Sequence, residues 1–500
     1  MKLKTLLFFI ISLFAIGSIV GCSREHYDYI ITIDDVQCTH NEQTVELKYR
    51  LHESYDSANA KFVASTNADW VTNIDASEFG VLRISVEQNS GAKREAKITL
   101  SAKSCKPAEI VLSQYAKPAD KANHTLMFYF FGTSLSRYFK TNLEDAVKAI
   151  ETGILGNSNR VLFLLQESKN SGYIGELCYD ITTKKCTEFR LKDNITFSDN
   201  VITPEKIGEH IATMAELAPA LRYGIIFAGH GQGWITREII NRDGDISPSA
   251  LSVDYNPWIP AVGAEVTRAF GERNVQVNID ELASGIDRSQ IELDYILFDA
   301  CFMSNIEAIY DLRNSANYII ASPCEIMGNG FPYHRTLPYL FEDEGKTTDY
   351  IKAAESYHIY YRDEYISSNK CGSISVFDCH EIEALAKVTH ELVRTAKTEY
   401  DTEALQTYEG HSPHHFYDFG QWGEVVATDD ELRTQFVEQL KNSVIATFTL
   451  DSFYSAYGHY GTYSIDKDVY TGVTTSAPSK AYPNGWRQTN WYKDVLALEN

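Results

Sequence analysis

The chain has 500 residues, 44% of them hydrophobic and 12% aromatic, which excludes a disordered protein and exceeds what a single core usually holds. A formal net charge of -23, with no basic run away from the N-terminus, excludes nucleic acid as a general partner.

Lys2 and Lys4 precede an apolar run from Thr5 to Val20 that is too short to span a bilayer. Small residues follow, as in a secretory signal. Ile19-Val20-Gly21-Cys22 resembles a bacterial lipobox, which implies cleavage before Cys22, a lipid on its thiol, and anchoring to the bacterial envelope at the outer membrane or cell surface. Residues 1–21 are thus read as the signal peptide and 22–29 as a tether. The eight other cysteines fit no zinc spacing, and they are expected to be mostly free, although Cys178 and Cys186 are spaced to close a hairpin.

Residues 30–116 alternate apolar and polar positions in short runs such as Val45-Leu47-Tyr49, Leu82-Ile84-Val86 and Ala96-Ile98-Leu100, separated by turn residues. This predicts a small all-β sandwich. Ala68-Asp69-Trp70-Val71, Ile84 to Asn89, Arg94 to Leu100 and Ile110 to Gln114 resemble a BACON-type domain of immunoglobulin-like fold. That resemblance implies glycan contact or a spacer role, with Trp70 read as core.

A linker over 117–123 leads into alternating strand and helix patterns. Leu126–Phe131, Arg160–Leu165, Tyr223–Ala228, Tyr295–Phe298 and Tyr318–Ala321 are continuous apolar runs of buried-strand type, with helical periodicity from Leu143 to Ile154. They predict a mainly parallel α/β sheet covered by helices over 124–385. A C-terminal extension, 386–500, is expected to be more helical, from Glu381 to Thr398 and Glu431 to Ile445, with a returning strand at Tyr460–Ile465.

Chemistry in such sheets gathers beyond the carboxyl ends of the strands. Gly224-Ile225-Ile226-Phe227-Ala228-Gly229 ends in His230-Gly231, and Asp294 to Ala300 ends in Cys301. A cysteine and a histidine on neighbouring strand ends form a nucleophile and base pair. A helix expected from Met303 to Leu312 would favour the Cys301 thiolate through its first-turn amides. Gly231, with no side chain, lets its N–H join that of Cys301 as an oxyanion hole.

These strand ends, with Phe298-Asp299-Ala300-Cys301-Phe302-Met303, Glu307, Ile320 to Glu325 and Gly328 to Tyr333, resemble the clostripain family of caspase-like cysteine peptidases. The resemblance runs from His124 to about Ile465. It implies a caspase-like α/β sandwich, a His230–Cys301 dyad, and Asp299 at the base of the pocket for the residue before the cut bond. A buried carboxylate there selects Arg or Lys in protein or peptide substrates. The family also implies maturation by self-cleavage in the long polar stretch from Ile235 to Asn278, with Arg237, Arg242, Arg268 and Arg273 as candidate sites. No cofactor is required by the resemblance. Calcium is the one ion it leaves open, and Asp243-Gly244-Asp245 is only a fragment of a calcium loop. His411, His414 and His415 are read as an exposed loop rather than a designed metal site. Two other readings use the same residues: a surface adhesin with an inert α/β scaffold, and a cysteine transpeptidase.

Overall fold

The computed structural model describes residues 29–38, 42–51, 61–90, 94–114, 121–156, 159–180, 184–197, 202–237, 260–269, 277–341, 347–476 and 479–498. Cys22, Arg242, Arg273 and the Asp243-Gly244-Asp245 fragment lie outside them. The chain divides into two compact units, Met1–Pro118 and Ala119–Asn500. Among the described residues no helix is long and apolar enough to cross a membrane.

In the first unit the period-two patterning forms strands, because alternate residues face one core. Phe62–Ser65, Arg94–Ala102, Ala108–Gln114 and Val36–Cys38 make one sheet, and Gln43–Lys48, Val81–Val86 and Val71–Asp75 another. Leu82, Ile84, Ile98, Leu100, Ile110 and Leu112 are buried between them. Trp70 packs at the margin of this core, with the Arg94 guanidinium 4.5 Å from its ring centroid.

The second unit is built on nine strands: β1 (Ala122–Phe130), β2 (Asn159–Gln166), β3 (Ser171–Asp180), β4 (Lys185–Thr196), β5 (Ala220–Ala228), β6 (Tyr295–Asp299), β7 (Tyr318–Ala321), β8 (Ile374–Asp378) and β9 (Val444–Phe448). Their order is β4-β3-β2-β1-β5-β6-β7-β8-β9. The apolar runs become β1, β2, β5, β6 and β7, which pair in parallel and are buried because helices cover both faces. The outer pairs β2–β3, β3–β4, β7–β8 and β8–β9 are antiparallel, so the sheet is mixed rather than mainly parallel.

Helices α1 (Ser136–Ile150), α2 (Pro204–Leu217), α3 (Ile279–Ser289), α4 (Ile306–Leu312), α5 (Tyr350–Ile359), α6 (Ile382–Arg394) and α7 (Asp430–Ser443) flank this sheet. Right-handed crossovers from β1 to β2 and from β2 back to β5 step in opposite directions, which puts α1 and α2 on opposite faces. Helices α2, α3, α4, α6 and α7 pack in succession as one layer.

Three local expectations differ from the fold. The helix after the nucleophile starts at Ile306, not Met303, because Phe302 turns the chain with φ of 59° and the amides of Phe302 and Ser304 bond to the carbonyls of Cys324 and Ser322. Helix α7 ends at Ser443 and its expected last residues belong to β9, while Gly461–Ser464 pairs with Ser452–Ser455 in a separate hairpin. His411 and His415 are buried around the fully buried Glu409, whose carboxylate accepts the amides of His411, His415 and Phe416. The segment is therefore not an exposed loop: the carboxylate organises it from inside, and no group of potential metal ligands occurs among the described residues. Cys178 and Cys186 are free thiols, offset by one pair in the β3–β4 register.

Candidate active site

Strands β5 and β6 run side by side with Ala228 opposite Asp299, so the residues just beyond their ends, His230 and Cys301, emerge at the same edge of the sheet. Between them, within the long polar stretch, the described residues Val266 to Ala269 pack against the site. Val266, Thr267 and Arg268 form a short antiparallel pairing with Ile326–Gly328: the Arg268 amide donates to the Ile326 carbonyl at 2.7 Å and the Gly328 amide to the Val266 carbonyl at 2.7 Å.

The Arg268 carbonyl oxygen accepts the Gly231 amide at 2.8 Å and the Cys301 amide at 3.4 Å. These are the two N–H groups expected to hold an oxyanion. Gly231 is required by space: a Cβ there would lie 2.2 Å from the Cys301 carbonyl oxygen and 2.7 Å from its nitrogen. His230 Nδ1 lies 3.1 Å from the carbonyl oxygen of Ala269, the next residue, which also accepts the Tyr457 hydroxyl at 2.5 Å. A carbonyl only accepts, so Nδ1 carries the hydrogen in this contact. Nε2 then accepts from the Ser134 hydroxyl at 3.0 Å.

The Arg268 side chain is completely buried. Its Nη1 lies 2.7 Å from Oδ2 of Asp299, equally buried, and its other donors reach the Gly328 carbonyl and Asn142 Oδ1. Oδ2 of Asp299 also accepts the Tyr333 hydroxyl at 2.6 Å and the Phe331 amide at 3.3 Å. Gly330, at φ of 71°, completes the wall, since a Cβ there would fall 2.2 Å from Arg268 Nη2. Burial raises the Asp299 carboxyl, and Arg268, Tyr333 and the Phe331 amide oppose that rise.

Burial also raises the Cys301 thiol well above its ordinary value, with Glu325 adding to it, and pushes His230 down to about 4, with the Arg268 charge adding to that. Both shifts favour the neutral thiol and the neutral imidazole. The N-terminus of α4 does not assist the thiolate, because Cys301 lies five positions before its first residue, Ile306. Instead the Ile326 amide donates to its sulfur at 2.9 Å. Glu307, on α4, is buried and accepts from Thr475 Oγ1, the Ser476 amide and Trp486 Nε1, which ties the loop after Cys301 to the C-terminal residues.

Of the four arginines singled out in the sequence, Arg268 enters the site. Arg237 is held elsewhere, paired with Glu281 on α3. Sequence reasoning missed Asn142, Ser134 and Tyr457, which reach the site from distant elements and carry no local signal.

A family model described as the clostripain family matches residues 258–487, which include Arg268 and Cys301 but begin after His230. No curated protein matches the chain. Among solved structures, a secreted C11 cysteine protease from Bacteroides thetaiotaomicron is 27% identical with a TM-score of 0.64, covering 75% of this chain and 100% of its own. An inactive zymogen C11 protease from Parabacteroides distasonis is 27% identical with a TM-score of 0.60, covering 76% and 99%. A clostripain from Bacteroides thetaiotaomicron in complex with a peptide inhibitor is 31% identical with a TM-score of 0.40, covering 44% and 95%. With the large mixed sheet, the family match and the first two of these likenesses together, the chain belongs to the clostripain family of C11 cysteine peptidases and is a hydrolase.

Proposed function

We propose that the chain is an endopeptidase that cuts after Arg or Lys through Cys301 and His230, and that it matures by cutting its own Arg268–Ala269 bond. The observation that carries this reading is the placement of Arg268: side chain against Asp299, carbonyl oxygen on the amides of Gly231 and Cys301, and the following residue against His230. A peptide bond held this way is arranged as a substrate.

In the reaction, Cys301 Sγ attacks the carbonyl carbon of the basic residue, and the charge that develops on its oxygen is held by the two amides. The C–N bond then breaks. The proton lost by the thiol ends on the departing amine, delivered by the imidazolium of His230. Water hydrolyses the thioester, returning the thiol. Asp299 sets the preference, since an apolar residue in its pocket would leave a buried carboxylate unpaired.

The N-terminal residues fit export with a lipid on Cys22, and the first unit is read as a BACON-type, immunoglobulin-like spacer or glycan-contacting domain, each of these resting on sequence resemblance. Export accords with the secreted relative.

The test is mass spectrometry of the purified chain beside Cys301→Ala, followed by peptides bearing Arg, Lys, Asp or Leu before a fluorogenic group, with calcium or chelator. The expected result is a fragment ending at Arg268 and one beginning at Ala269, absent in the variant, with turnover of Arg or Lys peptides only. An intact wild-type chain that turns over Leu or Asp peptides as well as Arg would overturn the reading.

A further inference from the structure

The segment before Ala269 makes contacts beyond those of the basic residue. Thr267 is 4% exposed, and its hydroxyl donates to Glu325 Oε2 at 2.6 Å. Glu325 is itself completely buried; its other oxygen takes the Ser455 hydroxyl at 2.6 Å, and the Ala456 amide lies 3.1 and 3.2 Å from the two oxygens. Thr267 is thus the close partner of Oε2, and a side chain without a hydroxyl would leave that oxygen under-satisfied in a dry site.

Val266, next outward, is 45% exposed, as an unread position would be. Glu265 is read again: its amide donates to the Tyr454 hydroxyl at 2.9 Å, and its carboxylate accepts from Ser367 Oγ at 2.6 Å and Asn369 Nδ2 at 3.3 Å. Glu265 and Thr267 thus face the protein while Val266 between them does not, as in a strand laid along an edge, where backbone bonds fix register and side chains enter pockets.

Resting on the reading of Arg268 as a bound substrate residue, we propose that the enzyme recognises three of the four residues before the cut, Glu-Xaa-Thr-Arg, with Glu325 reading a hydroxyl beside the basic residue and Ser367 and Asn369 reading a carboxylate three positions before it. Its substrate class is therefore protein segments that combine an acidic, a hydroxyl-bearing and a basic residue in this order. Serine fits the second position as threonine does. Valine, of nearly the same shape, does not.

The self-cut enzyme is tested with fluorogenic peptides Glu-Val-Thr-Arg, Glu-Val-Val-Arg, Ala-Val-Thr-Arg and Glu-Val-Thr-Leu. Threonine is expected to exceed valine by about tenfold or more in kcat/KM, the effect of a lost hydrogen bond to a buried charged group. Glutamate is expected to exceed alanine by about two- to fivefold, smaller because the position is partly exposed. In Ser367→Ala/Asn369→Ala the glutamate-to-alanine ratio falls toward one while the threonine-to-valine ratio stays, which a general loss of folding would not produce. Equal turnover of the threonine and valine peptides, with arginine still required over leucine, overturns the proposal and leaves the basic-residue reading standing. Failure of the arginine requirement overturns both.

Discussion

Arg268 and Asp299 form an ion pair of 2.7 Å in which neither side chain is exposed to solvent. On the proposed reading the two stand on opposite sides of the catalytic step, Arg268 as the occupant of a pocket and Asp299 as its floor. Removing one partner of such a pair leaves the other buried without compensation, at a cost of about 3–5 kcal/mol. Asp299→Asn is therefore expected to abolish the cut after Arg268 on the timescale of purification and to lower kcat/KM for Arg peptides by at least about a hundredfold, with turnover of Leu peptides no lower than wild type. Gel analysis and peptide kinetics check it; retained Arg preference would count against the assigned pocket.

Gly231 stands where the Cys301 backbone leaves no room for a side chain. A Cβ would meet the Cys301 backbone well inside contact distance, so Gly231→Ala must move one of the two amides that face the Arg268 carbonyl. Loss of an oxyanion donor lowers kcat by about 10²–10³. Thermal unfolding measured alongside should show a folded protein, separating a displaced donor from a collapsed sheet.

Ser134 is a positioning residue, since it touches His230 Nε2 and not the reacting bond. Loss of one neutral hydrogen bond of about 1 kcal/mol corresponds to about a fivefold fall in kcat for Ser134→Ala. KM should stay within twofold, roughly, and Ser134→Thr should restore the rate. A change confined to KM would place Ser134 in substrate binding instead.

His124 gives a test of pH dependence away from the site. It is buried between the Tyr295 and Phe341 rings, neither ring nitrogen has a hydrogen-bond partner, and burial with the nearby Arg222 charge pushes it down to about 3. Its unfolded value is about 6.5. Between these values the unfolded chain binds the proton and the folded chain does not, so stability contributed by the neutral ring is present above 6.5 and lost as pH falls toward 3. Relative to His124→Phe, the wild type should lose about 2.5 kcal/mol on going from pH 7 to pH 4.5. Denaturant unfolding at both pH values measures the difference, and a constant gap would refute the assignment.

The strands β1, β2, β5, β6 and β7 were legible because burial on both faces leaves unbroken apolar runs, and their ends pointed directly to His230 and Cys301. Arg268 was not distinguishable from Arg237, Arg242 and Arg273, since a charged residue in a polar stretch reads as solvated. Its burial comes from Asp299, Asn142 and Gly328, supplied by three separate parts of the chain. The start of α4 was misplaced for a related reason: Met303 is apolar and suits a helix, but Phe302 turns the chain and the loop is pinned to the residues after β7. The histidines around Glu409 looked exposed because Ser412 and Pro413 signal a turn, while the buried carboxylate that organises them lies just upstream.

The order of strands has a consequence for the proposed cut after Arg268. Within the nine-stranded sheet, every strand before Arg268 lies on one side of the β5–β6 pairing and every strand after it on the other, so a cut there would divide the sheet into β4-β3-β2-β1-β5 and β6-β7-β8-β9. The two pieces then behave as complementing fragments, each exposing a bare sheet edge without its counterpart. An intact chain refolds by a first-order process, but a cut one must find its other half, at a rate that depends on concentration. At high dilution, the lifetime of a chain cut in this way would be set by how slowly the halves part rather than by any equilibrium between folded and unfolded forms.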